Sequence, residues 1–159
     1  MKTLILFGTK TGSTEKCAMK IKESLAAKDA EILDIRRLRA IDLALYEVII
    51  IGTPLYMGNI HGRIKVFLKK HRNALMGKKL HFFICGMARG EEGVAIFKKQ
   101  IPEELFKHAA QVRQLGFEVN YKRMNPLFRM IMKKIIENEK PEIGLDYAGI
   151  DAFAGIAGR

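Results

Sequence analysis

Apolar residues along this chain recur in two different rhythms. Thr3–Gly8 (T-L-I-L-F-G), Val48–Gly52 (V-I-I-I-G) and Leu80–Cys85 (L-H-F-F-I-C) are short runs, apolar on consecutive positions and rich in Ile, Leu and Phe. None alternates strictly, which is the pattern of strands buried on both faces, as in a parallel sheet. Ile32–Ile35 and Ala110–Phe117 are weaker strand candidates. Between the runs the period lengthens. Cys17, Ala18, Ile21 and Leu25 recur at helical spacing with Lys16, Lys20, Lys22 and Glu23 opposite, and Ile64, Phe67, Leu68 and Leu75 make a second stripe among Arg63, Lys65, Lys69 and Lys70. Pro102 with Glu103 and Glu104 fits the first turn of a third helix running through His108. A further helix is predicted over Pro126–Asn138, then a short last one within Asp146–Arg159, weakened by Gly149, Gly155 and Gly158. Strands alternating with helices predict an α/β domain, and right-handed crossovers make its five-stranded parallel sheet doubly wound. The helix Pro126–Asn138 follows the fifth strand and is an insertion in a minimal fold of that kind.

Length and composition bound this picture without changing it. A chain of 159 residues is expected to form one domain over residues 1–159. With 48% apolar and 28% charged residues, disordered, collagenous and disulfide-scaffold classes are excluded. No apolar run approaches the roughly 20 residues of a bilayer-spanning helix. Met1 leads directly into a strand-like run without a signal-peptide pattern, so the mature protein is expected to start there. Cys17 and Cys85 have no C-x-x-C spacing and no histidine cluster, which predicts neither a metal site nor a disulfide framework and points to a cytoplasmic setting. The charge adds something new: 28 Lys and Arg against 17 Asp and Glu give +11, a surface that attracts anions.

The strongest chemical signal is Thr9-Lys10-Thr11-Gly12-Ser13-Thr14, between the first strand and the first helix. Small hydroxyl residues and a glycine there let several backbone N–H groups converge, the hydroxyls add donors, and the helix N-terminus adds positive potential. That combination receives a phosphate dianion. It is neither a Walker loop nor a G-x-G-x-x-G turn, which disfavours nucleoside triphosphates and NAD. The plainer alternative is a polar turn with Ser13 or Thr14 as an N-cap. His61, His71, His81 and His108 sit at predicted helix ends or in a strand, where packing and surface roles prevail, and no catalytic triad or paired carboxylates can be argued from spacing. No catalytic residue is assigned.

T-K-T-G-S-T after a buried first strand resembles the phosphate loop of flavodoxins, which implies strand order 2-1-3-4-5 and FMN as cofactor. The resemblance places the ring between two further loops. Thr53-Pro54-Leu55-Tyr56-Met57-Gly58-Asn59 offers an aromatic and two large apolar side chains to cover an isoalloxazine face, although Tyr56 alone also reads as an exposed loop tyrosine. In flavodoxins a glycine in this loop lets a peptide turn its carbonyl toward the flavin N5 proton, and Met57-Gly58-Asn59 resembles that site. Gly86-Met87-Ala88-Arg89-Gly90 is short and glycine-rich, with N–H groups for the ring's pyrimidine edge; Arg89 is expected to reach that edge and raise the flavin potential, with Lys10 beside the phosphate. Cys85 reads as a buried apolar residue.

Ordinary flavodoxins are acidic, and this basic chain more closely resembles the menaquinone-dependent protoporphyrinogen oxidase branch of the superfamily. The residues are the opening M-K-T-L-I-L-F, the block Ile51–His61 (I-G-x-x-x-x-x-G-x-x-H), Phe67–His71 (F-L-K-K-H), the stretch Asn125–Lys134 and Asp146-Tyr147. The resemblance implies an FMN oxidoreductase acting on protoporphyrinogen IX, with electrons passing to a quinone; a non-enzymatic electron carrier is the competing class. A phosphoryl receiver would want an Asp where Gly8-Thr9 stands. The expected partners are a small anionic substrate or quinone rather than nucleic acid. Pro126–Asn138 carries a broad stripe (Leu127, Phe128, Ile131, Met132, Ile135, Ile136) flanked by Arg129, Lys133, Lys134 and Lys140, a profile shared by an anionic bilayer surface, the domain's own core and a dimer contact. A peripheral position at the inner membrane face follows from the first of these.

Overall fold

A computed structural model describes residues 2–159. The consecutive apolar runs form the middle of one sheet because both of its faces are covered. Along the chain come β1 (Thr3–Phe7), α1 (Ser13–Ser24), β2 (Ala30–Asp34), β3 (Val48–Tyr56), β4 (Asn59–Ile60), α2 (Gly62–Lys70), α3 (Arg72–Met76), β5 (Lys79–Gly86), α4 (Gly90–Lys98), α5 (Glu103–His108), β6 (Gln111–Gln114), β7 (Gly116–Phe117), α6 (Pro126–Glu139), β8 (Gly144–Leu145) and α7 (Tyr147–Ala157). The parallel strands run β2-β1-β3-β5-β6, the predicted order 2-1-3-4-5 once the short β4 is set aside. β4 turns back antiparallel on the end of β3, and β7 pairs with β8 in a separate ribbon.

Each face has its own apolar layer. Ile5, Phe7, Ile50 and Phe83 face Cys17, Ala18 and Ile21 of α1 and Phe153 and Ala154 of α7. Leu4, Leu6, Ile49, Ile51 and Phe82 face Ile64 and Leu68 of α2, Leu75 of α3, Phe97 of α4 and Leu105 of α5. Each fully buried Leu, Ile or Phe side chain among these contributes about 1.5–3 kcal/mol. The packing also rescues α7: its glycines weaken it, but Asp146 Oδ1 accepts from Gly149 N at 2.9 Å and Ile150, Phe153, Ala154 and Ala157 are buried.

Several boundaries differ from the pattern-based prediction. α4 was not foreseen, because G-E-E-G opens it and only Val94, Ile96 and Phe97 supply large apolar side chains; tertiary packing of Phe97 on Phe82, ring centroids 5.1 Å apart, holds it. The stripe from Ile64 to Leu75 breaks into α2 and α3 at His71, where ψ is 16°. β3 continues past Gly52 through Tyr56, since its partner β5 also continues and Leu55 pairs with Gly86. Thr53-Pro54-Leu55-Tyr56 is therefore strand rather than loop. The fifth strand stops at Gln114, and Gly116–Phe117 leaves to pair with β8.

Candidate functional site

Parallel strands bring the ends of β1, β3 and β5 to one edge of the sheet, where the order reverses between β1 and β3 and ligands collect in folds of this type. The turn after β1 is built from within. Thr9 Oγ1 accepts from Gly12 N at 3.0 Å, and Gly12 lies in the left-handed region (φ 102°), open to glycine at little cost. A side chain on Gly12 would also collide with the Arg123 guanidinium. Gly12 rather than Ser13 or Thr14 is the N-cap of α1, and no side chain caps the helix. Its first N–H groups, which lack intrahelical acceptors, are thus aimed at this turn. Thr9, Thr11, Ser13 and Thr14 are all buried.

Besides Thr9, two of the other hydroxyls are already engaged. Ser13 Oγ donates to the Glu118 carbonyl at 2.8 Å and accepts from Glu118 N at 2.9 Å, and Lys16 reinforces the joint by an ion pair to the Glu118 carboxylate at 2.9 Å. The hydrogen bond to Glu118 raises the Lys16 pKa. Thr11 Oγ1 is hydrogen-bonded to the Tyr56 hydroxyl, whose pKa burial raises, so it stays protonated. Lys10 Nζ lies 5.5 Å from the Tyr56 ring centroid. Thr14 Oγ1, by contrast, is fully buried and has no hydrogen-bond partner among the described residues. A buried hydroxyl without a partner beside the first N–H groups of α1 fits a phosphate dianion, and the Arg123 guanidinium, ion-paired to Glu15 at 3.4 Å, lies over Gly12.

The two other predicted segments converge on the same edge. Met57 and Gly58 join β3 to β4 in a two-residue turn with φ of 49° and 76°, the positive pair of a type I′ hairpin. Met57 is 70% exposed at its tip. Asn59 begins β4, its side-chain amide donating to the Met57 carbonyl at 3.3 Å. Thr53 and Pro54 lie behind, inside β3; Thr53 Oγ1 accepts from His61 N at 3.0 Å, a structural tie. Gly86 ends β5, Met87 and Ala88 form the loop, and Gly90 opens α4. A space of about 490 Å³ lies between Met57-Gly58 and Met87-Ala88, walled by Leu55, Ile96 and Ile135. A second space of about 260 Å³ lies against Thr11, Gly12, Ser13 and Arg123, with Glu15 and Glu118 also on its wall, paired to Arg123 and Lys16 respectively. A small cavity of about 20 Å³ lined by Ser13, Leu55, Tyr56, Met87 and Met132 shares Ser13 with the second space and Leu55 and Met87 with the first.

Arg89 departs from its expected role at the ring. Its Nη2 donates to the Glu142 carbonyl and, at 3.2 Å, to the Gly144 carbonyl, so the guanidinium clamps the segment after α6. The pattern gave no warning of Arg123, and Phe128 and Met132 stood out only as members of the Pro126–Asn138 stripe. Phe128 meets the Tyr56 ring edge-on at 5.7 Å and Met132 is buried beside Cys85, so α6 lies across the crevice. Its amphipathic stripe was legible, but not which residues of the stripe face inward. The histidines have packing roles: His61 caps α2 through Nδ1, His71 stacks on Phe67, and His81 is buried between Gln111 and Phe153. Burial raises the Cys17 thiol, leaving it inert.

Comparison with known proteins agrees with this geometry. Protoporphyrinogen IX dehydrogenase [quinone] of Escherichia coli (strain K12) is 29% identical over 85 residues, 52% of this chain and 47% of that protein, so the match spans about half the length of the curated relative. Oxidised flavodoxin 1 from Bacillus cereus superposes with a TM-score of 0.65 at 19% identity, covering 98% of this chain and 96% of that one. A flavoprotein from Lactobacillus acidophilus in complex with FMN superposes with a TM-score of 0.51 at 23% identity, covering 72% of this chain and 90% of that one. At these identities both structures speak to the fold. The family model described as flavodoxin domain matches residues 4–143, most of the chain, and supports FMN as the group the crevice serves. The chain belongs to the flavodoxin domain family.

Proposed function

We propose that this chain holds one FMN in the crevice and works as an oxidoreductase on a reduced, anionic organic substrate, protoporphyrinogen IX, with a quinone as acceptor. The observation that carries the FMN reading is the Thr9–Thr14 turn, with its buried hydroxyl at Thr14 lacking a partner, N–H groups at the start of α1, and Arg123 above Gly12. Bound FMN would supply a two-electron relay, and since protoporphyrinogen IX loses six electrons and six protons to become protoporphyrin, three such rounds would reduce three quinones to three quinols. The chain's residues do the rest. The Thr9–Thr14 turn and Arg123 hold the phosphate, Leu55, Tyr56 and Met87 cover the ring, and α6 keeps water from the crevice. The substrate reading draws on the E. coli relative's name and on the charge of +11, which attracts a polycarboxylate. Purified FMN-loaded protein, given protoporphyrinogen IX and a soluble quinone without oxygen, should form protoporphyrin and quinol together. FMN retention without turnover would leave a non-enzymatic electron carrier.

The exposed side of α6 supports a membrane surface as the place where quinone is met. Met132 is buried, whereas Leu127 is 65% and Met130 53% exposed, with Lys133 and Lys134 beside them. An apolar strip between cations suits an anionic bilayer interface at about 1 kcal/mol per basic residue near the surface. No helix among the described residues is long and apolar enough to cross a membrane. Salt-sensitive sedimentation with anionic vesicles, lost in Lys133→Glu with Lys134→Glu, is the expected result; a wild type that stays in the supernatant would remove this part of the reading.

A further inference from the structure

On the other side of β1 from the hairpin lies a groove that neither the phosphate turn nor α6 touches. The chain leaving β2 turns sharply at Ile35–Arg37 and again at Leu43–Leu45, pinned at both places by buried residues, Ile35 and Leu43. Residues 38–41 between those anchors stand off α2 and leave a space of about 430 Å³, within the range of small-molecule sites. Its walls are Ile35, Leu38, Ile41, Val66 and Phe67, and Val66 is 64% exposed although it faces apolar neighbours. The Phe67 ring stacks with His71 at 4.5 Å, giving the groove an aromatic end.

The rim carries one sign of charge. Arg39, Arg63 and Lys70 line it, with no Asp or Glu among the lining residues. None of the three takes part in an ion pair among the described residues, while nearby Arg36 is tied to Asp34 at 2.6 Å. Three uncompensated cations around apolar walls repel one another, and an anionic head relieves that repulsion while its apolar body leaves water. An inorganic anion would waste the walls; a neutral apolar molecule would waste the rim. Two guanidinium groups favour a carboxylate, which they can bind in a forked geometry.

We propose that this groove is a second binding site, taking a soluble amphipathic carboxylate whose apolar body lies on Ile35, Leu38, Ile41, Val66 and Phe67 and whose carboxylate is held by Arg39 and Arg63 with Lys70. The site stands independently of the flavin reading. A groove of about 430 Å³ matches one small molecule, whereas a bilayer asks for a broad face of the kind α6 offers.

The test is a titration of isotope-labelled protein, with and without FMN, using octanoate below its micelle concentration and 1-octanol as the neutral match. Octanoate should shift the amide signals of residues 35–41 and 62–71 and saturate, while 1-octanol should bind at least tenfold more weakly. In Arg39→Gln with Arg63→Gln, and separately in Val66→Asp, the octanoate Kd should rise at least tenfold with the melting temperature and FMN affinity unchanged. Equal binding of octanoate and octanol, or shifts confined to the crevice around Thr9–Thr14, would overturn the proposal. Shifts produced only by phosphatidylglycerol vesicles and not by octanoate would also overturn it, in favour of a lipid surface.

Discussion

Replacing Thr14 by Val should separate ligand binding from stability, because the two effects have opposite signs. The Thr14 side chain is fully buried and its hydroxyl has no partner among the described residues. Such a group costs about 1–3 kcal/mol relative to one that is satisfied. Valine keeps the branched shape of threonine while removing the polar atom. Ligand-free Thr14→Val should therefore be more stable, by about 2–4 °C in Tm for each kcal/mol recovered in a domain of this size. When phosphate is present the same hydroxyl donates to a dianion, a bond worth about 1.5–3 kcal/mol, so the variant should bind FMN roughly 10- to 150-fold more weakly. Thermal melts of the ligand-free protein and quenching of flavin fluorescence during FMN titration read the two effects separately. An FMN Kd within twofold of wild type, or a lower Tm in the ligand-free variant, would refute the assignment of this hydroxyl to the phosphate.

Three other outcomes follow from particular contacts. Met57 holds a left-handed conformation that asparagine tolerates better, so Met57→Asn should stabilise the protein by about 1 kcal/mol, and a lower urea midpoint would contradict the turn assignment. Arg89→Met should cost about 1–3 kcal/mol of stability by releasing the carbonyls of Glu142 and Gly144, with the midpoint potential of bound FMN unchanged; a lowered potential would return Arg89 to the ring. Burial pushes the His81 pKa down to about 4, against about 6.5 in an unfolded chain. Between those values the unfolded chain takes up a proton that the folded one refuses, so stability should fall as pH drops from about 6.5 and the loss should level off near pH 4, at roughly 3 kcal/mol. His61 and His71 are shifted the same way by burial, so urea titrations of His81→Leu should show a shallower pH dependence rather than none; an unchanged slope would count against it.

What the sequence made legible is what its neighbours along the chain determine. Val48–Gly52 and Leu80–Cys85 could be read as buried parallel strands because burial on both faces leaves no polar position in the repeat. The phosphate turn was legible because its hydroxyls and its glycine are contiguous. Helix α4 was hidden because Phe97 earns its place from Phe82, in a strand whose packing no local pattern displays. Arg89 looked free until the carbonyls it binds, 53 and 55 residues further on, came into place. Arg123 and Met132 reach the crevice from the far end of the chain, and an amphipathic stripe gives the width of an apolar face without saying which part meets the protein.

Titration of the ligand-free protein with FMN and with riboflavin tests the central claim most directly, since the two ligands differ only in the phosphate that the Thr9–Thr14 turn is built to receive. Two or more charge-assisted hydrogen bonds at about 1.5–3 kcal/mol each predict one FMN per chain and riboflavin binding at least about 100-fold weaker. Equal affinity for the two flavins, or no binding of either, would contradict the account.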